Sequence, residues 1–297
     1  MPAPYIGRFA PSPTGPLHFG SLVAALASYL DARACGGRWL VRMEDIDPPR
    51  EMPGAADLIL RQLERHGLCW DGEVLYQGAR FAIYDQVIET LLDRGLAYFC
   101  DCSRQRIQAL GGRYDGRCRR RAGVAGNGCG VRLAVPEGAV MAFDDLFQGR
   151  QEQHLDRESG DFIIRRRDGL PAYQLAVTVD DAFQRVSHVV RGSDLLDSTG
   201  RQILLLEMLG EKSPVYGHIP VATNPDGCKL SKQNLAPSLD LSPPDDNLRR
   251  ALAWLGVDCQ GLDGLAPPAL LAGAAGRWRR SAVDRCQARP AVGSLDN

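Results

Sequence analysis

The stretch that decides the fold is Ile6-Gly7-Arg8-Phe9-Ala10-Pro11-Ser12-Pro13-Thr14-Gly15-Pro16-Leu17-His18-Phe19-Gly20-Ser21. Its first five residues predict a short strand, which enters a loop rich in Pro, Ser and Gly. Leu22, Leu26, Tyr29 and Leu30 then recur at helical spacing until Gly36-Gly37 ends the run. This stretch therefore predicts a strand, a loop and a helix in immediate succession.

A second predicted strand fixes the fold class. Trp39-Leu40-Val41-Arg42-Met43 is predicted to be a buried strand and ends at Glu44-Asp45-Ile46-Asp47. Strand, helix and strand at this spacing form a parallel crossover unit. The predicted fold is α/β, with a doubly wound, Rossmann-like parallel sheet. Further helices are predicted at 55–66, 80–94, 204–209, 245–256 and 268–280, and further strands at 131–135, 161–164 and 186–190. We interpret residues 173–179 as a strand that returns to the main sheet.

The composition is that of an ordinary soluble globular enzyme. The 297 residues are 44% hydrophobic and 24% charged with a net charge of −1, so any contact with RNA must come from local patches. No apolar run approaches the ~20 residues that span a bilayer, and the N-terminus has no signal-peptide pattern. Nine scattered cysteines indicate reduced thiols or a metal site rather than a disulfide framework. We therefore expect a cytoplasmic monomer without membrane contact.

Two signatures carry candidate nucleotide chemistry. At the predicted helix start, unpaired N–H groups suit phosphates, His18 can donate a hydrogen bond to a phosphate oxygen, and Gly20 permits close approach of a base. Far downstream, Lys229-Leu230-Ser231-Lys232-Gln233 places two lysines in a polar loop, where they can stabilise charge as pyrophosphate departs. Taken singly, the first signature is more typical of a proline-rich turn with a helix cap at Ser21, and the second of a solvated loop.

Together the two signatures resemble the HIGH and KMSKS motifs of class I aminoacyl-tRNA synthetases. Residues 7–15 resemble the opening of glutamyl-tRNA synthetases, and Arg191-Gly192-Ser193-Asp194-Leu195-Leu196-Asp197-Ser198-Thr199 is similar to a later block of that family. The chain departs from the usual residues at Ser21, Gly200 and Gln233. Residues 229–234, Lys-Leu-Ser-Lys-Gln-Asn, resemble the glutamyl-Q tRNA(Asp) synthetases, which are short paralogues. The resemblance covers residues 6–235 and implies the class I synthetase catalytic fold.

The resemblance implies a role for each matching residue. Catalytic roles would fall to His18, Gly20 and Lys232. ATP, carried with Mg²⁺, would contact His18, Gly20, Ser21, Lys229 and Lys232, and L-glutamate would contact Arg8, Phe9, Ala10, Pro11, Ser12, Glu44, Tyr173 and Arg191. These roles suit the ligand, because an arginine fork binds a carboxylate bidentately and a carboxylate pairs with an ammonium group. Without the motifs, Arg191 and Glu44 would be interpreted as members of ordinary ion pairs.

A cysteine- and arginine-rich stretch from residue 100 to about residue 130 predicts a small inserted module. Cys100, Cys102 and Cys118 are soft ligands that suit a structural, tetrahedral Zn²⁺. The resemblance to glutamyl-Q synthetases implies Tyr114 as the fourth ligand, whereas thiolate chemistry alone prefers Cys129, and reduced cysteines without metal are the alternative to both. An arginine cluster in the module is a candidate RNA contact or a solvated surface: Arg104, Arg106, Arg113, Arg117, Arg119, Arg120 and Arg121.

The domain organisation follows from these assignments. Residues 1–98 and 161–212 are expected to be the two halves of the catalytic domain, residues 99–160 the inserted module, and residues 213–297 the lysine loop with a mainly helical subdomain. The stretch after Gln233 is shorter than the anticodon-binding region of a glutamyl-tRNA synthetase, so we expect that region to be absent.

The resemblance implies ATP-dependent activation of glutamate without tRNA, followed by transfer of glutamate to queuosine in the anticodon of tRNA(Asp). Two alternatives stay open. One is a truncated conventional glutamyl-tRNA synthetase that charges a tRNA 3′ end, and the other is a non-catalytic paralogue that binds nucleotide or RNA.

Overall fold

The computed structural model describes residues 4–121, 128–230 and 237–291. The strands are β1 (Ile6–Phe9), β2 (Arg38–Met43), β3 (Leu75–Tyr76), β4 (Ala97–Cys100), β5 (Gly130–Leu133), β6 (Val140–Asp145), β7 (Gly149–His154), β8 (Phe162–Arg165), β9 (His188–Gly192), β10 (Val215–Ile219), β11 (Val221–Thr223) and β12 (Ala288–Pro290). The helices are α1 (Phe19–Ala34), α2 (Ala55–Arg65), α3 (Phe81–Asp93), α4 (Arg104–Ala109), α5 (Leu155–Glu158), α6 (Tyr173–Phe183), α7 (Thr199–Leu209), α8 (Pro244–Trp254) and α9 (Pro267–Arg277).

A parallel sheet lies at the centre of the fold. β1 pairs in parallel with β2, β2 with β3, and β9 with β10. β9 packs beside β1, where the Ser187 N–H donates to the Ile6 carbonyl at 2.9 Å. The resulting order, β3-β2-β1-β9-β10, confirms the predicted α/β class with a parallel sheet.

Helix α1 connects the first two strands and forms the centre of the core. Leu22, Leu26 and Leu30 are fully buried on one face of the helix, which packs on β1 and β9 and also on the C-terminal helices α8 and α9. The buried Asp31 accepts hydrogen bonds from Trp278 Nε1 at 2.9 Å and Arg280 Nε at 2.7 Å. The C-terminal helices therefore share the core of the first strands, while the predicted domain boundaries stay a prediction.

Two antiparallel sheets flank the parallel one. β4, β5 and β8 form a three-stranded sheet, and β6 and β7 form a hairpin. The hairpin was not predicted from the sequence. At the end of β6, the Asp145 carboxylate accepts the backbone N–H groups of Phe147 and Gln148, which fixes the turn. In the described parts of the chain, no helix has the length and apolar character to cross a bilayer.

The interpretation of residues 173–179 as a strand is wrong, because this segment forms most of helix α6. Seven consecutive residues, 175–181, are buried, so the helix lacks the polar face that would have revealed a period of 3.6 residues. The β-branched Val177, Thr178 and Val179 also favour a strand by local propensity. Tertiary burial outweighs that preference, and the Thr178 hydroxyl bonds to the Gln174 carbonyl at 2.7 Å within the helix.

Candidate active site

One cavity, of about 580 Å³, opens at the carboxyl ends of β1 and β9. Its lining includes every residue predicted to contact glutamate or ATP that the structure describes: Arg8, Phe9, Ala10, Pro11, Ser12, His18, Gly20, Ser21, Glu44, Tyr173, Arg191 and Lys229. Lys232 lies outside the described residues. The topology explains the convergence, because the carboxyl ends of neighbouring parallel strands meet at one edge of the sheet. The structure therefore brings together residues that are more than 200 positions apart in the chain.

The N-terminus of helix α1 forms one wall of the cavity. His18 is the N-cap residue, and its Nδ1 accepts the Ser21 backbone N–H at 3.3 Å. Since Nδ1 is an acceptor, the proton of a neutral imidazole lies on Nε2, where it can be donated. A Cβ on Gly20 would lie 3.2 Å from His18 Cε1, so the glycine makes room for the imidazole ring. The cap is thus His18, and not Ser21 as in the alternative reading of this stretch.

Arg8 is held in the cavity wall by a buried carboxylate. Its Nε and Nη2 each donate to Asp181 at 3.1 Å, and Arg42 Nη2 donates to the same carboxylate at 2.6 Å. Burial alone would raise the pKa of Asp181, but the Arg42 and Arg8 guanidiniums lower that pKa to about 2. Two positive charges thus share one negative partner beside the cavity, so the triad of Arg8, Arg42 and Asp181 carries a net positive charge.

Glu44 lies at the end of β2 on the same side of the cavity. Burial raises the pKa of Glu44 to about 7, against the lowering effect of Arg42 and Arg8. The carboxyl group is therefore poised to ionise near neutral pH, and an ammonium group placed against it would favour the carboxylate form. Tyr173, the first residue of α6, faces the same cavity, and burial raises the pKa of its phenol.

Arg191 is fixed by a buried chain of hydrogen bonds. Its Nε donates to His218 Nε2 at 2.9 Å, and His218 Nδ1 lies 2.5 Å from Asp145 Oδ2. Because Nε2 is the acceptor, the imidazole proton lies on Nδ1 and is donated to Asp145. Burial and the nearby Arg191 charge lower the pKa of His218 against the opposing bond to Asp145, so the ring is neutral at physiological pH. Arg191 Nη1 and Nη2 donate further to Gln202 Oε1 and Thr199 Oγ1, both at 2.9 Å.

The opposite end of the cavity is more exposed. Lys229 forms an ion pair with Asp194, and their side chains are 48% and 33% exposed. A Cβ on Gly192 would lie only 2.5 Å from Asp194 Oδ1, so the glycine allows the carboxylate to fold back over the strand end. This end of the cavity contains the N-terminus of α1 and Lys229, and both are groups that can bind phosphates.

The partners that fix the two arginines lie outside the motifs that predicted the site. Asp181, Arg42, His218 and Asp145 were not predicted as site residues. Asp181 had a weak signal, because two aspartates directly follow an apolar run at 180–181. His218 had no signal, since a single histidine in a short apolar strand is more often an ordinary core residue.

The three cysteines of the inserted module form a second cluster. The sulfur atoms of Cys100, Cys102 and Cys118 lie within 4.8 Å of one another, and the Cys102 and Cys118 sulfurs are 3.6 Å apart. The Tyr114 hydroxyl lies 3.7 Å from Cys100 Sγ and accepts the Cys118 backbone N–H at 2.7 Å. Among the described residues, Cys129 is not part of this cluster.

Arg132 adds a positive charge to the cysteine cluster. Its Nε lies 3.3 Å from Cys100 Sγ, and its guanidinium lies over the Tyr114 ring at 4.0 Å from the centroid. Although burial raises the pKa of Cys100, hydrogen bonds from Arg132 and other neighbours give a net lowering. The cluster therefore favours a thiolate at Cys100.

Comparison with known proteins identifies the family. The family model for tRNA synthetases class I (E and Q), catalytic domain, matches residues 6–255. The chain is 55% identical to a glutamyl-Q tRNA(Asp) synthetase of Pseudomonas putida, over 94% of this chain and 93% of the relative. It is 52% identical to the glutamyl-Q tRNA(Asp) synthetase of Pseudomonas aeruginosa, over 98% of this chain and 99% of the relative.

The fold has solved counterparts. The crystal structure of glutamate-tRNA synthetase from Elizabethkingia anophelis superposes with a TM-score of 0.81 at 24% identity, over 97% of this chain and 68% of that one. This similarity concerns the fold, and the sequence relatives above carry the family assignment. The family predicted from the motifs is confirmed. The chain belongs to the class I tRNA synthetases of the E and Q group and, within them, to the glutamyl-Q tRNA(Asp) synthetases.

Proposed function

We propose that this chain activates L-glutamate with ATP and transfers it to queuosine in the anticodon of tRNA(Asp), as a cytoplasmic monomer. One observation carries the proposal. A single cavity holds two fixed guanidiniums and a carboxyl group at one end, and a helix N-terminus with a lysine at the other. An acidic amino acid and a nucleoside triphosphate together match this distribution of charge.

In the first step, an α-carboxylate oxygen of glutamate attacks the α-phosphorus of ATP. A bond forms between that oxygen and phosphorus, the bond to the β-phosphate oxygen breaks, and pyrophosphate leaves. The step needs no side chain to transfer a proton, so positioning and charge stabilisation carry the catalysis. Arg8 and Arg191 bind the side-chain carboxylate, and Glu44 binds the ammonium. Mg²⁺, bound to ATP, would neutralise part of the phosphate charge.

His18, the N-terminus of α1, Lys229 and Lys232 are the groups we assign to the phosphates. His18 Nε2 donates to a phosphate oxygen, because its Nδ1 is already an acceptor for the helix. In the second step, a hydroxyl of the queuosine ring attacks the glutamyl carbonyl, the ester forms, and AMP leaves with the electron pair of the mixed anhydride. The hydroxyl proton passes to the departing phosphate or to water.

ATP–pyrophosphate exchange is the test that separates the candidate functions. We expect exchange that depends on glutamate and proceeds without tRNA. A non-catalytic paralogue would show none. The acceptor is then identified by labelling purified tRNA species with glutamate: labelled tRNA(Asp) that carries queuosine supports the proposal, whereas labelled tRNA(Glu) would identify a conventional glutamyl-tRNA synthetase.

Two lysine variants test the role of Lys232 in the first step. We expect Lys232→Ala to slow exchange by about 100-fold or more, because removal of one charge-stabilising group typically has this effect, with a much smaller change in the KM for glutamate. Lys212→Ala, which removes an exposed lysine after α7, is the matched control and should exchange at the wild-type rate. An unchanged rate in Lys232→Ala would remove that residue from the mechanism.

We also propose that Cys100, Cys102, Tyr114 and Cys118 hold a structural Zn²⁺. The residues fit the metal, since tetrahedral bonds of about 2.3 Å place two thiolate sulfurs about 3.8 Å apart, close to the 3.6 Å between Cys102 and Cys118. The Tyr114 hydroxyl lies beside this set. Bound Zn²⁺ would cross-link β4 to the segment that follows α4 and would take no part in the reaction.

The zinc content of three variants tests this ligand set. Cys118→Ser should purify without stoichiometric zinc, and Tyr114→Phe should bind zinc more weakly in competition with a chelator. Cys129→Ser should match the wild type in both measurements. Zinc loss in Cys129→Ser together with unchanged binding in Tyr114→Phe would favour four thiolates instead.

A further inference from the structure

A second cavity, of about 930 Å³, lies between the cysteine cluster and the active-site cavity. Its lining includes Cys102 and Tyr114 at one end and Arg50 at the other, and Arg50 also lines the active-site cavity. The two cavities are therefore neighbours that share a wall residue. Nothing in the proposed chemistry of glutamate and ATP uses this second space.

The second cavity is basic. Six arginines line it: Arg50, Arg104, Arg132, Arg166, Arg167 and Arg201. Three aspartates, at positions 47, 161 and 168, also line the cavity and offset part of the positive charge. The excess of arginine favours an anionic occupant, since a cleft lined by one sign of charge concentrates the opposite sign.

Several of these arginines already have partners. Arg166 bonds to Asp47 at 2.9 Å and to Asp168 at 2.6 Å. Arg132 Nη1 donates to the Asp161 carbonyl at 2.8 Å, and Arg167 Nε donates to the Gly128 carbonyl at 2.7 Å. These contacts fix the guanidiniums in the wall.

Arg201 differs from the others. Among the residues that the structure describes, its Nη2 donates only to the Asp197 carbonyl at 3.4 Å and to the Ser198 hydroxyl at 3.3 Å. Its Nε is buried without a hydrogen-bond partner, and within the described parts of the chain no carboxylate forms a salt bridge with it. Burial lowers the pKa of Arg201, although the nearby Asp197 charge opposes this shift. A half-buried cation with a desolvated, unpaired N–H is costly, and an anion bound in the cavity would offset that cost.

The position of Arg201 indicates which anion the second cavity binds. Arg201 precedes Gln202 in helix α7, and Gln202 holds Arg191 at the glutamate end of the active site. Arg201 lines the second cavity, whereas Lys229, which we assign to the ATP phosphates, lines the active-site cavity. The acceptor of the second step must approach the glutamyl carbonyl, and the second cavity adjoins the active-site cavity at Arg50. The acceptor is part of a polyanion whose phosphates flank the reacting nucleoside.

We propose that the second cavity binds the RNA backbone next to the acceptor nucleoside, with a phosphodiester group on Arg201. This inference rests on the proposed function, because it places the RNA relative to the glutamate. It also reassigns the predicted RNA contact. Arg106 and Arg121 of the inserted module bond to Asp115 and Asp101 in the module itself, and of the seven predicted arginines only Arg104 lines the cavity.

The two half-reactions separate this proposal from the function on which it rests. In Arg201→Gln, we expect glutamate-dependent ATP–pyrophosphate exchange and the KM for ATP to stay within about twofold of wild type. The KM for tRNA in the transfer reaction should rise about tenfold, which is the size of one lost charge-assisted hydrogen bond, and the salt dependence of log KM should fall by about one phosphate contact. Arg201→Lys should recover part of the loss.

Arg185→Gln is the matched control, because Arg185 is exposed at the amino end of β9, on the opposite edge of the sheet. It should leave both half-reactions and the salt slope unchanged. Arg104→Gln, an exposed residue at the far end of the cavity, should raise the KM for tRNA without affecting exchange, and it keeps the test decisive if Arg201→Gln folds poorly.

Three results would overturn the inference: an unchanged KM for tRNA in both Arg201→Gln and Arg104→Gln, an equal loss of both half-reactions in Arg201→Gln, or a raised KM for ATP. The second would mean that Arg201 supports the glutamate pocket, and the third that the anion is a nucleotide phosphate. Failure of wild-type exchange would refute the proposed function instead.

Discussion

The two ends of the active-site cavity hold their charges in opposite ways. At the glutamate end, the Arg8 and Asp181 side chains are each 4% exposed and Arg42 is fully buried. At the nucleotide end, Lys229 is about half exposed and pairs with an exposed aspartate. The same kind of contact, a cation on a carboxylate, is thus buried at one end and solvated at the other.

This difference matches the two tasks of the cavity. Selection of one amino acid requires donors that stand in place before the ligand arrives, and buried partners hold Arg8 and Arg191 there. The phosphates change charge and position during the reaction, so a lysine on a flexible stem can follow them. The glutamate end should therefore lose both stability and selectivity when its partners are changed, whereas the nucleotide end should lose little stability.

The largest expected effect comes from Asp181→Asn. The substitution removes the shared counter-ion of two buried guanidiniums, and breaking a buried ion pair typically costs about 3–5 kcal/mol. The free energy of unfolding in urea should fall by about this amount at pH 7. Asp144→Asn removes an exposed partner of Arg150 and is the matched control, which should unfold like the wild type.

The low pKa of Asp181 determines the pH range in which this carboxylate stabilises the fold. The Asp181 pKa is about 2 in the folded chain and about 3.9 in an unfolded one. The stabilisation is therefore present above about pH 4 and is lost as the pH falls toward 2. Asp181→Asn should lack this component of the acid transition. If Asp181→Asn lowered the free energy of unfolding by less than about 1 kcal/mol at pH 7, the contacts of Asp181 with Arg8 and Arg42 would not stabilise the glutamate end.

The next effect concerns His218 as a positioning residue for Arg191. His218→Ala removes the acceptor of the Arg191 Nε–H, so we expect the KM for glutamate to rise about 10- to 100-fold, as for one hydrogen bond to a charged group. The KM for ATP should not change. His218→Gln can return an acceptor oxygen near the Nε2 position and should recover part of the loss, whereas equal losses in both variants would indicate a purely structural role.

Glu44 should give the glutamate end a pH dependence. With a pKa of about 7, Glu44 is mostly neutral at pH 6 and mostly ionised at pH 8, and only the carboxylate form pairs with the substrate ammonium. The KM for glutamate should therefore be about tenfold higher at pH 6 than at pH 8. Glu44→Gln should bind more weakly and show a flat profile over this range. A flat wild-type profile would exclude Glu44 as the ammonium ligand.

Much of the fold was predictable because its first elements are locally consistent. The run from β1 to β2 has strand, loop and helix signals in the right order, and the helices at 55–66, 80–94, 245–256 and 268–280 match α2, α3, α8 and α9 within a few residues. Strand β10 was missed, because Val215–Ile219 is short and contains a glycine and a histidine that read as loop residues. Helix α6 was missed because burial on all sides removed its periodicity.

The candidate site was likewise predictable only in part: the residues that line the cavity were predicted, and the residues that hold them were not. The cavity-lining residues come from motifs and from the ends of parallel strands, so the topology rule gathers them. Their partners are set by pairing over long distances in the chain: Arg8 meets Asp181, and His218 meets Asp145. No local pattern encodes such pairs, because each depends on how separate segments pack. The sequence therefore predicts which groups face the ligand, and only the packed structure reveals what holds them.

The smallest effect is expected at the nucleotide end, where Asp194→Asn removes a carboxylate that pairs with Lys229. Exposed ion pairs contribute about 0–1 kcal/mol, so the urea midpoint should barely move. Loss of the Asp194 charge should weaken the attraction that competes with the phosphates for Lys229. The KM for ATP should therefore stay equal or fall by up to about threefold at low salt. The difference should vanish in 0.5 M salt, because exposed charges are screened. Lys229→Ala, the paired variant, should raise that KM severalfold at the same unchanged stability. If Asp194→Asn destabilised the chain as strongly as Asp181→Asn, the ion pairs at both ends would contribute equally to stability. The contrast between a buried and a solvated ion pair would then not hold.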